Sequence, residues 1–384
     1  MTRLRMGMIG GGHDAFIGAV HRMAARLDDD VELVAGAFGS TPEGSRASGE
    51  ALGLVPERVY DSWQGLLAGE AERDDPMDFV TVVTPNASHH PIAAAALDGG
   101  FPVLLEKPMV TTVEHATDLV HRTESTGLPV GVMYNYSGYP MVQEARDRVA
   151  AGELGELRKV VVQYHQGWLA TALEASGQKQ ASWRTNPAEA GVGGATGDIG
   201  SHAAQLAEYI TGRRIEAVAA DLAAVVPGRV LDDDAAMFLR LEGDLRGVAS
   251  VSQICPGQRN NLAIHVWGER GGLAWQQETP ETLGLWDEAG HERRLHRADA
   301  GVSSRTAMYT RLPGGHPEAF IEAFANIYRG FVADVRSRGA GAPVTGAGVL
   351  YPDVRTGMSG VRFIHAAVLS SREGQRWVRL EDVT

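Results

Sequence analysis

Two rhythms of apolar and polar residues divide the chain. Up to about residue 135, short and nearly continuous apolar runs alternate with stretches of helical period. The runs are Leu4–Ile9, Val31–Ala37, Phe79–Thr84, Pro102–Glu106 and Val130–Asn135, with a shorter one at Val59-Tyr60. Strands buried on both faces read as continuous apolar runs, and strands separated by helices pair in parallel. Between the first two runs, Phe16, Val20, Met23, Ala24 and Leu27 fall on one side of a helix. Thr111-Thr112-Val113-Glu114 has the S/T-x-x-E form of a capping box and opens a helix before Val130. Right-handed crossovers then predict an N-terminal α/β domain with a doubly wound parallel sheet over residues 1–135.

From about residue 136 the pattern changes to the two-residue alternation of half-exposed strands. A helix at Met141–Ala150 leads into Leu157–Tyr164. Further strands are expected at Ile215–Leu222, Ala235–Leu241, Gly247–Gln253 and Leu262–Trp267, joined by turns with little helix between them. This predicts a C-terminal α/β domain over 136–384 with an open, mainly antiparallel sheet, its C-terminal helix region packing back on the first domain. Gly191–Gly194 and Gly339–Gly341 read as loops too short to be domain linkers.

Length and composition agree with that division. A chain of 384 residues is too long for one ordinary core, and 44% hydrophobic with 22% charged residues is usual for a globular protein. No run of about 18 apolar residues marks a membrane span. The segment from Met1 to Gly10 enters a strand at once, leaving no room for a signal peptide, and Cys255 is the only cysteine. Both features predict a reducing, cytoplasmic setting. The net charge of −13, with Lys107, Lys159 and Lys179 as the only lysines, argues against a nucleic-acid partner. An acidic surface can attract a cationic substrate, although ordinary solubility is the simpler account.

Candidate chemistry begins at Gly10-Gly11-Gly12-His13-Asp14-Ala15, a G-x-G-x-x-A sequence between a strand and a helix. Gly10 permits a tight turn, Gly12 lets a pyrophosphate approach the backbone, and Ala15 is small enough for close helix–strand packing. The following helix directs its free N–H groups and positive dipole end at the phosphates. The second strand runs out as Ala37-Phe38-Gly39-Ser40-Thr41-Pro42, without the acid that usually holds the adenosine ribose of NAD. Ser40 can bond that ribose, or Ser40 and Thr41 can cap the next helix. Arg46 reaches a 2′-phosphate only if it turns inward. The expected cofactor is NAD, with NADP left open.

Two further segments carry groups suited to proton and charge transfer. Leu105-Glu106-Lys107-Pro108 ends a strand, where open parallel sheets place their ligand crevice, although Lys107 also reads as a solvated terminus paired with Glu106. In Gly197-Asp198-Ile199-Gly200-Ser201-His202, Asp198 and His202 are four residues apart and share one face of a helix. A histidine can take an alcohol proton near neutral pH, a carboxylate can orient it, and a lysine can stabilise the alkoxide. A dipole-favoured aspartate above a satisfied histidine is the bland alternative. Thr84-Pro85-Asn86 and His89 lie near the end of the third strand. Tyr134, Tyr136, His165, Trp168 and Trp183 can line a sugar pocket, though each also suits core packing. Asp232-Asp233-Asp234 reads as a solvated turn.

Together these segments resemble the Gfo/Idh/MocA family, named for glucose–fructose oxidoreductase, inositol dehydrogenase and a rhizopine-catabolism protein. The resemblance rests on Gly10–Ala15, Thr84-Pro85-Asn86-Ala87-Ser88-His89, Glu106-Lys107-Pro108, Trp183-Arg184, Gly197–His202 and Tyr351–Gly374. It implies a Rossmann domain followed by an α/β domain whose open sheet makes homodimer or homotetramer contacts. It also implies roles: Lys107 as catalytic lysine, Asp198 as substrate-orienting acid, His202 as proton acceptor. Gly10, Gly12, His13, Asp14, Ala15, Phe38, Ser40, Thr84, Asn86, His89, Glu106, Lys107, Asn135, Trp183 and Arg184 fall to the cofactor. Lys107, Tyr136, His165, Trp168, Asp198 and His202 fall to the substrate. Pro108 matches a position often cis in the family, whereas Phe38-Gly39-Ser40 departs from relatives that carry an acid there. Ala15 to Arg22 marks a less common subgroup, and the expected substrate is a sugar, aminosugar or cyclitol. An aminoglycoside sugar oxidised at carbon 3 is the narrower expectation. The alternative is a non-catalytic, dinucleotide-sensing regulator of the same fold. A zinc enzyme is disfavoured by the single cysteine and the lack of clustered ligands.

Overall fold

The computed structural model describes residues 2–339 and 351–384. The chain forms two compact units, the first comprising Met1–Val110, Glu114–Asn135 and Phe320–Met358, the second comprising Thr111–Val113, Tyr136–Ala319 and Ser359–Thr384. The second domain expected over 136–384 is therefore interrupted, because Phe320–Met358 belongs to unit 1. Of the Gly339–Gly341 loop, Gly339 ends a helix and the remainder lies outside the described residues.

Unit 1 is built on five parallel strands, β1 (Leu4–Gly10), β2 (Val31–Ala37), β3 (Phe79–Val83), β4 (Val103–Leu105) and β5 (Val130–Val132), in the order β2-β1-β3-β4-β5. The continuous apolar runs become strands because both sheet faces are covered, and β3 is buried at all five positions. Val59 contributes only an isolated bridge to Gly36. Met6, Met8, Phe79 and Leu104 form a core with Phe324 and Phe331 of the helix Phe320–Gly339. Phe79 and Phe331 meet nearly edge to face, 5.4 Å between centroids at 70°. Such a pair contributes about 0.5–1.5 kcal/mol beyond its buried area.

The helix Phe16–Leu27 presents a different face from the one expected. Phe16, Met23 and Leu27 are exposed, while Gly18, Val20, His21, Ala24 and Ala25 are buried. Two contacts set this rotation. A Cβ on Gly18 would collide with the Gly11 backbone, so only glycine allows the approach. His21 is tolerated inside because both ring nitrogens have partners. The helix Val113–Thr126 begins one residue later than the capping-box register placed it.

Unit 2 carries nine strands: β6 (Leu157–His165), β7 (Ile215–Ala223), β8 (Asp234–Leu241), β9 (Leu245–Ser252), β10 (Asn261–Gly268), β11 (Gly271–Gln276), β12 (Thr282–Asp287), β13 (Glu292–His296) and β14 (Val378–Arg379). Their order is β13-β12-β11-β10-β6-β9-β8-β7-β14, antiparallel throughout except for the β6–β9 pair. Strands β11 to β13 escape the alternation test; β13 buries only Leu295. Register puts Val160, Val162 and Tyr164 of β6 on the buried face, against which the helix Ser201–Thr211 packs. The opposite face carries Phe238, Val248, Val161 and His265 in one cross-strand row. Phe238 is 63% exposed there. Among the described residues, no helix is long and apolar enough to cross a membrane.

Candidate active site

In unit 1 the loop after β1 turns through Gly10 and Gly11, at φ +76° and +62°. A side chain on Gly10 would strike the Val83 carbonyl, and a Cβ on Gly12 would lie 2.8 Å from Ser48 Oγ. The loop is thus a backbone-lined cradle leading into the Phe16–Leu27 helix, whose first turn holds no acid to cancel its dipole. Ala15 is the N-cap, and Gly18 takes the close-packing role assigned to Ala15. Arg22 braces the cradle from behind, donating to the carbonyls of Gly11 and, at 3.5 Å, Gly12. His13 and Asp14 pair with each other at 2.9 Å at the surface. Asn135 is buried, and among the described residues its Nδ2 has no hydrogen-bond partner. A buried orphan donor and a cradle too tight for side chains suit a bound dinucleotide.

The end of β2 leads directly into the next helix. Phe38 is buried, its N–H donating to Ser45 Oγ at 3.0 Å, and Ser40 is exposed. Thr41 caps the helix Pro42–Ala51 through the Gly44 N–H, as the capping alternative expected. Arg46 bonds Asp61 at 2.6 Å and Glu43 at 3.2 Å.

At the end of β3, Thr84 accepts from Ser88 Oγ at 2.7 Å, and the buried Asn86 opens a short 3-10 turn. His89 is wholly buried, with Nε2 2.9 Å from the Thr84 carbonyl and Nδ1 3.0 Å from that of Pro108. Burial pushes His89 below its ordinary pKa, against the pull of those carbonyls. The Lys107-Pro108 peptide is cis. Glu106 is held from two sides. Its Oε1 lies 2.9 Å from His21 Nε2, and its Oε2 accepts the Lys107 N–H at 3.1 Å. Burial alone would raise the Glu106 carboxyl, but the His21 hydrogen bond and the His21 and Lys107 charges hold it below the usual value.

In unit 2, Asp198 lies in a π-helical turn, Thr196–Gly200, and His202 in the first turn of the α-helix that follows. The simple four-residue helical spacing is therefore broken by a wider turn, a feature frequent at functional sites. The turn is anchored by Asp232, whose carboxylate accepts the N–H groups of Gly194 and Thr196, both at 2.7 Å. The expected solvated Asp232–Asp234 turn is corrected here: Asp233 is also buried, accepting from Val225, Val226 and Arg229. Within the glycine-rich stretch 191–194, the Gly191 N–H donates to the Pro187 carbonyl at 3.1 Å, and the Gly194 N–H is the one that the buried Asp232 carboxylate satisfies.

Around His202 runs a chain of polar side chains. Its ring stands edge-on to Tyr136, 4.8 Å between centroids. Tyr164 OH donates to Asn260 Oδ1 at 2.7 Å, Asn260 Nδ2 donates to Tyr136 OH at 3.1 Å, and the two hydroxyls bond each other. With its proton given to Asn260, Tyr164 receives that of Tyr136, and the ring closes. Burial, then Tyr136, raises the Tyr164 hydroxyl well above its ordinary pKa. Gln166 Nε2 joins Asn260 at 2.7 Å, Gln253 Nε2 reaches Gln166 at 3.4 Å, and Gln253 also donates to Asp198 at 2.8 Å. Arg184 Nε donates to the same Asp198 oxygen at 3.1 Å and stacks over Trp183, while Trp168 Nε1 donates to Gln166 at 2.9 Å. Trp183 and Arg184 thus sit with Asp198 in unit 2.

His165 does not belong to this group. One residue beyond Tyr164, it projects from the opposite sheet face and bonds Ser250 Oγ at 2.9 Å. Sequence reasoning missed Tyr164, Gln166, Gln253 and Asn260, whose shared signal is position. Gln166, Gln253 and Asn260 each stand just beyond the ends of β6, β9 and β10 at one sheet edge, which only the register reveals. It also missed His21 and Tyr328 behind Glu106. Among the described residues, no group of His, Cys, Asp and Glu could hold a metal ion.

Residues 4–134 match the family model described as an oxidoreductase family, NAD-binding Rossmann fold, and residues 142–274 match the GFO/IDH/MocA C-terminal domain. The chain is 30% identical over 381 residues to the uncharacterized oxidoreductase YfiI of Bacillus subtilis, covering 98% of this chain and 97% of that one. An inositol dehydrogenase homolog from Azotobacter vinelandii complexed with NAD+ superimposes with a TM-score of 0.94 at 35% identity, covering 98% and 97% of the two chains. The same homolog complexed with NADH and myo-inositol gives 0.91 at 34% identity, covering 98% of each. The chain belongs to the Gfo/Idh/MocA family of oxidoreductases, and its residues 4–134 are the family's NAD-binding Rossmann fold.

Proposed function

We propose that the protein oxidises a secondary alcohol on a polyhydroxylated ring, a sugar, aminosugar or cyclitol, with NAD. One observation carries the reading: the unbroken chain of neutral hydroxyls and amides from Tyr136 to Gln253 beside His202, ending on Asp198. Such groups offer donors and acceptors together, as ring hydroxyls require. The Azotobacter vinelandii homolog described with myo-inositol supports the substrate class.

In this reading His202 takes the hydroxyl proton, a task suited to imidazole near neutral pH. Asp198, held by Arg184 and Gln253, orients the substrate, and the Lys107 ammonium stabilises the alkoxide. Gly10, Gly12 and Asn135 would hold NAD, while Thr84, Asn86, His89 and Glu106 shape its surroundings. NAD, when bound, supplies the hydride acceptor. Tyr136 and Trp168 supply aromatic surface for a ring face. The exposed sheet face bearing Phe238 is the self-association surface of a homodimer or homotetramer. The single cysteine supports a cytoplasmic setting.

A screen of cyclitols, sugars and aminosugars, including aminoglycoside sugars oxidised at carbon 3, tests this with NAD and NADP by absorbance of the reduced nicotinamide. Lys107→Ala and His202→Ala should each lower turnover about 100-fold or more with NAD affinity within about twofold. Full turnover by Lys107→Ala would remove that residue from the chemistry. Tight NAD binding without turnover of any polyol would instead support a dinucleotide-sensing regulator.

A further inference from the structure

We propose that Asp14, with His13 as its positioning residue, holds the adenosine ribose of NAD in place of the acid that the end of β2 lacks. The arrangement lies wholly within unit 1, where the glycine loop is longer than its fingerprint. Gly10 makes the tight turn, and Gly18 packs on the Gly11 backbone, where a Cβ would lie 2.3 Å from the Gly11 carbonyl oxygen. Those two glycines stand eight positions apart, where G-x-G-x-x-G sets five. The longer loop makes room for a surface turn at His13 and Asp14. The helix Pro42–Ala51 sets where that turn lies. Its Ser45 accepts the Phe38 N–H at 3.0 Å, and Ser48, on the same helix face, accepts the His13 N–H at 3.4 Å. Ser48 Oγ also lies 3.2 Å from His13 Nδ1, while His13 Nε2 lies 2.9 Å from Asp14 Oδ1.

One helix face therefore joins the end of β2 to the turn. A Cβ on Gly12 would lie 3.2 Å from the Phe38 carbonyl oxygen, so the loop and the strand end touch. The acid that holds the adenosine ribose ordinarily stands at that strand end. Here Phe38-Gly39-Ser40-Thr41-Pro42 holds none, and the next acid, Glu43, pairs with Arg46 at 3.2 Å. The turn supplies Asp14 beside the same strand end, its side chain 89% exposed and open to a ligand. An exposed ion pair alone contributes little. With His13 anchored to Ser48, the pair instead presents a carboxylate in one orientation. That carboxylate accepts from ribose hydroxyls, and its charge repels a 2′-phosphate.

The inference rests on NAD as the cofactor and not on the roles read for Lys107 or His202, so binding alone tests it. Calorimetry of the full-length protein compares NAD, NAD lacking the adenosine 2′-hydroxyl, and NADP. The wild type should bind NAD about tenfold tighter than the deoxy analogue. Asp14→Ala should weaken NAD about tenfold and bring the NAD and deoxy affinities within about twofold of each other. The same variant should move the NADP-to-NAD affinity ratio at least about tenfold towards NADP. His13→Ala should give part of both shifts, and His13→Gln, which keeps a donor towards Asp14, should restore the wild-type ratios to within about twofold. A turn with a purely structural role would weaken all three ligands alike. Unchanged ratios in Asp14→Ala, a surface substitution that leaves the core intact, overturn the proposal. So does a wild type indifferent to the 2′-hydroxyl. A wild type that binds NADP and not NAD would overturn the choice of cofactor and the proposal together.

Discussion

Glu208 lies six residues beyond His202 on the helix Ser201–Thr211, and its carboxyl is pushed up to about 7, first of all by burial. Its Oε1 accepts the Ile215 N–H at 2.7 Å, and Ser359 Oγ donates to both oxygens. Those bonds and the Arg214 charge pull the other way, while Glu242 adds to the rise. Arg214 is itself paired with Glu242, which limits the relief it offers. The folded protein therefore binds this proton more tightly than the unfolded chain, so stability falls as pH rises from about 4.5 through about 7. A rise of about 2.5 units corresponds to roughly 3.4 kcal/mol in total, of which roughly 2.5 kcal/mol is lost between pH 5 and pH 8. Glu208→Gln mimics the protonated form and keeps an acceptor for Ile215, and its amide can donate to Ser359. Urea unfolding followed by tryptophan fluorescence at pH 5 and pH 8 should show the wild type losing about that much relative to the variant on going to pH 8. A difference independent of pH would refute the argument. So would the opposite sign, which would mean that the Arg214 charge outweighs burial.

The cofactor loop allows two further tests. Arg22, whose own pKa is lowered by burial, holds the Gly11 carbonyl and approaches that of Gly12, so Arg22→Met should weaken NAD binding about tenfold by calorimetry without lowering thermal stability in step. Equal affinity in the two proteins would show that the glycine turns hold their shape unaided. Removing the carboxylates that occupy Arg46, in the double variant Glu43→Gln and Asp61→Asn, should free its guanidinium and tighten NADP binding at least about fivefold. NAD affinity should stay constant, and unchanged NADP affinity would mean that Arg46 does not face the ribose.

The parallel sheet was legible because it needs only runs of apolar residues, and Val31–Ala37 is the same in pattern and in structure. The first helix was not, because counting hydrophobes placed Phe16, Met23 and Leu27 inward. The buried face contains a histidine, and only partners from other elements make it tolerable there. Along β6 the alternation itself separates Tyr164 from His165, since neighbouring residues point to opposite faces. Treating His165 as a pocket residue ignored that parity. The buried Asp232 and Asp233 show the converse, for a run of acids looks solvated until the unsatisfied N–H groups of a glycine-rich turn are counted against it.

What divides the legible part of the site from the rest is sequence distance. Glu106-Lys107-Pro108 and Gly197–His202 are local motifs, and a single chain displays them whole. The groups that hold them come from far away: His21 is 85 residues from Glu106, and Tyr328 is 307 from His21. Likewise Gln253, 55 residues from Asp198, reaches it from just beyond the end of β9, against which the Thr196–Gly200 turn packs. A strand's own alternation says which face a residue takes but not which strand lies beside it. Reactive groups must present particular atoms at particular spacings, so their types leave a local signature. A supporting group needs only to bring a donor or acceptor within about 3 Å, which many residue types on many elements can do. The support is therefore written in topology, and the first helix carries two of its members side by side, His21 behind the lysine and Arg22 behind the glycine loop.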